Sequence, residues 1–197
     1  MTPRKNTAAS IRARLLSLAQ KKGEDYQRVL GRYAIERFLY RLGRSPYRDN
    51  FALKGATLFT LWTGHTHRPT KDLDLLGRGS SSATGEVETT IRAICGNQDE
   101  DGIVFDSESV EGTRIKEDDE YDGVRIKLQA DLAGARIPMQ IDRLISDLAT
   151  PFTRNPNLLH FLSCYPWKHL SFVRIRENRP SLKNSMRWSC STFATAE

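Results

Sequence analysis

The chain has 197 residues, of which 39% are hydrophobic and 27% charged, with a net charge of +6. That make-up suits one sizeable globular domain or two small ones and excludes wholesale disorder. There is no apolar run of about 18 residues, and MTPRKNTAAS leads into no apolar signal region, so neither membrane insertion nor secretion is expected and the cytoplasm is the expected compartment.

In chain order, the first expected element is a short amphipathic helix over Ser10 to Lys22, with Ile11, Leu15, Leu18 and Ala19 on one stripe and Ser10 placed to cap it. A stronger helix follows over Asp25 to Arg44, carrying Tyr26, Val29, Leu30, Tyr33, Ala34, Phe38 and Leu42 at three- and four-residue spacing. Both should cover a sheet. Phe51 to Gly55 reads as a short strand broken by glycine, and ATLFTLWTG behind it as a helix closing at Gly64. In KDLDLLG, Leu73, Leu75 and Leu76 flank two acids, as in a strand whose alternate positions face a site. A loop and a helix around Val87, Ile91 and Ile94 come next. Three strands then follow, GIVFDSESV, DGVRIKLQA and RIPMQIDRL, separated by polar loops at Gly112 to Asp119 and Leu132 to Gly134. The sum is an α+β domain over residues 1–151, with N-terminal helices and a small mixed sheet. Residues 152–197 are expected to form an irregular, poorly ordered basic tail. Cys95, Cys164 and Cys190 are too few and too widely spaced for a disulfide framework or a zinc cluster, and read as free thiols.

Chemistry concentrates at RPTKDLDLL. Residues two apart on a strand point to one side, so Asp72 and Asp74 project together about 7 Å apart. Two carboxylates so placed repel, and a divalent cation removes the penalty; Mg²⁺ prefers a few carboxylates together with substrate phosphates. A structural alternative has one Asp capping a turn and the other on a solvated sheet edge. Context favours the site. LKGAT is a glycine turn at a helix start, where free N–H groups and the helix dipole suit a phosphate, and MQIDRL offers Asp142 as a third acid on a strand. Together these describe metal-dependent phosphoryl or nucleotidyl transfer, in which metal ions bridge a nucleoside triphosphate. Lys54, Arg68 and Lys71 are positioned to add positive charge near the phosphates, or else are solvated rim residues.

The stretch from SIRARLLSLAQKK to LKGATLFTLW, with RPTKDLDLL and IPMQIDRL…DLATP, resembles the AbiEii/AbiGii abortive-infection nucleotidyltransferase toxins over residues 10 to 151. The resemblance implies a minimal polymerase-beta-like nucleotidyltransferase fold followed by a helical half. It also implies a role in phage defence, transfer of a nucleoside monophosphate from an NTP to a tRNA end, and a cognate antitoxin. By position, Gly55 matches the family's turn glycine, Asp72 and Asp74 its metal-binding pair, and Asp142 its third carboxylate. Ala56 stands where many members carry Ser or Gly, with Thr57 as a candidate replacement hydroxyl. The RNA acceptor rests on the resemblance alone, since residues 1–151 are nearly neutral and show no aromatic stacking cluster.

Past Pro151 the resemblance stops. Phe152 to Glu197 hold seven Lys/Arg against two Asp/Glu, so almost all the net charge lies there. Codons exist for Leu182 to Ser189, LKNSMRWS, which one nucleotide back spell AEKFDAMV, close to the family's AEKFEAMV; in the same frame Arg174 to Asn178 permits the family's YPRE. The expectation is a frameshift between Phe152 and Leu162 that removed the later Lys and acids of the family. Two other readings stay open: an inactive remnant, and a basic nucleic-acid-binding module acting through its tail.

Overall fold

Apolar residues recurring at helical spacing in the first 44 positions produce two N-terminal helices in the computed structural model, which describes residues 7–55, 72–77, 83–117 and 121–145. Helix α1 runs Thr7–Lys22 and buries Ile11, Leu15 and Ala19. It begins three residues before the expected cap, because Ala8 packs against the core. Ser10 therefore lies inside the helix, where its hydroxyl accepts from Arg14 Nη2 at 3.3 Å. Helix α2, Tyr26–Arg44, starts where expected: the Asp25 carboxylate accepts from the backbone N–H of Arg28 at 3.0 Å, a cap worth about 1 kcal/mol. A short 3₁₀ turn, Arg48–Asn50, leads into β1, Phe51–Leu53. Then come β2, Asp72–Gly77, α3, Thr84–Cys95, β3, Ile103–Glu117, β4, Tyr121–Leu132, and β5, Ala135–Ile145.

The five strands form one mixed sheet in the order β1-β2-β5-β4-β3. Only β2 and β5 run parallel; the other neighbours are antiparallel. Helices α1, α2 and α3 contact β4, β5 and β3 respectively. The face beneath them carries Leu53, Leu73, Leu75, Val124, Ile126, Leu128, Ile137, Met139 and Ile141, all buried. The fold is thus the expected α+β arrangement with its helices at the N-terminus and one inserted between strands. Among the described residues no helix is long and apolar enough to cross a membrane. Cys95 is a buried free thiol, its pKa pushed up to about 12 by burial.

Two loop expectations are corrected. Most of Gly112 to Asp119 belongs to β3, which reaches Glu117 because a bulge between Asp106 and Glu111 lets the strand pair again with β4. Gly112 is drawn under α3, where its N–H donates to Glu88 Oε1 at 2.7 Å. The expected loop at Leu132 to Gly134 shrinks to two residues, because Leu132 is a fully buried strand end. Ala133 and Gly134 have φ of 51° and 81°, the left-handed pair that a twisted two-residue hairpin turn requires. Arg12 Nη1 of α1 donates to the Ala133 carbonyl at 2.6 Å. The expected helix at Ala56 to Gly64, and the division at residue 151 with its tail, lie outside the described residues.

One buried charge cluster locks α2 to the segment before β3. Arg37, Arg41 and Asp101 are each at most 3% exposed. Arg41 grips the Asp101 carboxylate with Nη1 and Nη2 at 2.8 and 3.0 Å, and Arg37 Nε donates to the same carboxylate. Arg41 also donates to the carbonyls of Asn97 and Ile103 at 2.7 and 3.1 Å, and the Tyr33 hydroxyl to that of Asp101 at 2.8 Å. Removing one partner strands the others in a dry interior. Asp101→Asn should therefore lower stability by about 3–5 kcal/mol, read as a shift of the urea midpoint.

Glu36, half-buried on the same helix, has its pKa pushed up to about 7 by loss of hydration, against the pull of Arg32 and Arg37. The folded state thus favours the neutral acid. Its contribution is present below the usual carboxylate range and lost as pH rises through about 7. Glu36→Gln should flatten the fall in Tm between pH 5 and 8 that the unsubstituted protein shows.

Candidate active site

Six residues long, β2 alternates half-buried and buried positions. Leu73 and Leu75 face the helices, which forces Asp72 and Asp74 to the opposite side of the sheet. Pairing with β5 is parallel, and residues side by side across it point the same way: Asp72 lies beside Gln140, Leu73 beside Ile141, and Asp74 beside Asp142. All three acids therefore occupy one face, with Asp74 and Asp142 on neighbouring strands about 4.8 Å apart. Asp142 is only 9% exposed.

The glycine turn meets the same place. Lys54, one residue past β1, donates its backbone N–H to the Asp74 carbonyl at 2.9 Å. Gly55 then lies against the Asp74 side chain with φ of 72°, and a Cβ there would come within 2.0 Å of Oδ2. Only a residue without a side chain leaves that carboxylate in its place. Lys54 is exposed on the rim. Ala56, Thr57, Arg68 and Lys71 lie outside the described residues.

Asp142 is held from the far side. Arg125, opposite it on β4, donates Nε and Nη2 to its two oxygens at 2.9 and 2.8 Å, while Gln140 Nε2 lies 3.3 and 3.2 Å from the same pair. Such a fork is the strong form of a charge-assisted bond. Among the described residues no three His, Cys, Asp or Glu side chains converge as a metal-ligand cluster; the partner of Asp142 there is Arg125, on the β4 side of the strand pair. The donor set is nonetheless hard oxygen throughout, the chemistry that Mg²⁺ and similar cations take. Two neighbouring carboxylates also carry a repulsion that a cation relieves.

Arg125 and Gln140 were missed as site residues, although a signal existed. Once Ala133 and Gly134 form a two-residue turn, Leu132 faces Ala135. Seven positions further along each strand Arg125 faces Asp142, so the register was countable from the turn.

Residues 37–158 match the family model described as nucleotidyl transferase AbiEii toxin, type IV toxin-antitoxin system. The match covers more than half of the chain. It begins within α2 and includes Gly55, Asp72, Asp74, Arg125 and Asp142. No curated protein matches.

The Gly55 contact generates a double-variant test. Gly55→Ala should destabilise by about 1–3 kcal/mol through a strained φ and a displaced carboxylate. In an Asp74→Ala background part of that cost should vanish, because the carboxylate conflict is gone while the φ strain stays. Urea midpoints of the four proteins measure the coupling; strictly additive effects would refute the contact.

Proposed function

Since the chain belongs to the AbiEii family of nucleotidyl transferase toxins of toxin-antitoxin systems, we propose that it transfers a nucleoside monophosphate from an NTP to an acceptor hydroxyl at the end of a tRNA, in a magnesium-dependent reaction. The supporting observation is the register of β2 on β5, which sets Asp74 beside Asp142 on the face shared with Asp72.

In this reading Asp72 and Asp74 hold Mg²⁺, with Asp142 completing the set or accepting the proton of the acceptor hydroxyl. When bound, the cation offsets the charge of the triphosphate and of the departing pyrophosphate. Gly55, lacking a Cβ, leaves room for the Asp74 carboxylate itself and so keeps that ligand at the turn. Lys54, with Arg68 and Lys71, is assigned the positive charge at the phosphates, and Ala56 and Thr57 belong to the same nucleotide-binding set. The acceptor oxygen attacks the α-phosphorus, the bond to the bridging oxygen breaks, and pyrophosphate leaves with the electron pair. A cognate antitoxin, a cytoplasmic location and a role in phage defence complete the proposal.

The division into a nucleotidyltransferase domain over 1–151 and a separate basic tail over 152–197 belongs to the same proposal.

Incubation of the full chain with each labelled NTP, Mg²⁺ and total tRNA tests the reading. The unsubstituted protein should label tRNA, and Asp72→Ala should reduce labelling by about 100-fold or more, the scale of losing one preorganised charge-stabilising group. Equal labelling by both would refute the assignment. No labelling by a folded wild type would favour the inactive remnant, and tRNA binding that disappears on removing residues 152–197 would favour the basic module.

A further inference from the structure

The ion pair on Asp142 has consequences for the metal that the site would take, and the inference drawn from it rests on the metal-dependent reading above. A carboxylate offers about four lone-pair positions. Here Arg125 takes one on each oxygen, and Gln140 approaches both. The strand order fixes the direction of the pull, since β5 lies between β2 and β4. Asp74 is on one side of Asp142 and Arg125 on the other. A cation bridging Asp74 and Asp142 needs the carboxylate to face β2, whereas Arg125 faces it to β4.

We propose that Arg125 is a positioning residue, the resident counter-cation of Asp142, and that a divalent cation recruits Asp142 only in competition with it. Without metal, the guanidinium offsets part of the Asp142 charge, so the repulsion from Asp74 across the strand pair is reduced. When metal arrives, the two cations contend for the same oxygens. The arginine is the more exposed of the two partners: its side chain is 37% exposed, against 13% for Asp142. The competition would keep the site splayed until a metal and its triphosphate bind together.

Mn²⁺ binding to the full chain, followed by the electron paramagnetic resonance signal of the free ion, tests this apart from turnover. Arg125→Gln should tighten Mn²⁺ binding by about threefold or more, because a competitor and a like charge are both removed. Arg125→Lys, which keeps the charge and loses the fork, should tighten it less. That second variant also serves if Arg125→Gln does not fold. A purely structural Arg125 predicts unchanged or weaker binding in both variants, and that result overturns the proposal. Asp74→Ala separates the two layers of argument. If wild type binds Mn²⁺ and Asp74→Ala does not, the metal reading stands whatever the Arg125 variants show. If neither wild type nor Arg125→Gln binds Mn²⁺, both fall.

Discussion

Parallel pairing of β2 with β5 is the constraint on which the site depends. Side chains on strands alternate with a strict period of two, so slipping one strand by a single residue would send its acids into the helical face and its leucines into the open one. The apolar set Leu73, Leu75 and Ile141, none of it measurably exposed, therefore does two jobs. It supplies burial under α2, and it makes any register costly in which Asp74 and Asp142 fail to share a face. A shared face for the three acids needs no dedicated scaffold, because the hydrophobic pattern of the core fixes it.

Other contacts serve that register at a distance. The Asp101 cluster clamps α2, which lies over β5, to the segment that starts β3. The two-residue turn at Ala133 and Gly134 aligns β4 with β5 and so brings Arg125 to Asp142. Gly55 lets the chain leaving β1 fold tightly over Asp74. The first two act on the carboxylates through strand alignment, and Gly55 by direct contact with Asp74.

Much of this could be read from the chain itself. The period-two pattern in KDLDLLG and RIPMQIDRL marked both strands and the side to which their acids point, and helical spacing marked α2 to within one residue. Strand order was not legible, since alternation names a face and not a neighbour; that β5 lies between β2 and β4 follows only from three-dimensional pairing. The length of β3 was misread because Gly112 to Glu117, with Ile115 their only large apolar residue, look like a loop until β4 pairs with them. The roles of Arg37 and Arg41 were hidden for a related reason. Arginines beside an apolar helical stripe ordinarily reach solvent, and only a distant Asp101 makes their burial tolerable.

The hydrogen bond from Arg12 to the Ala133 carbonyl carries one more implication. Helix α1 precedes the stretch that the family model matches, so by that measure it is an accessory. Yet it grips the outermost point of the very hairpin whose alignment sets Arg125 against Asp142. A segment outside the matched stretch thus ties itself to the corner from which the β4–β5 register is counted.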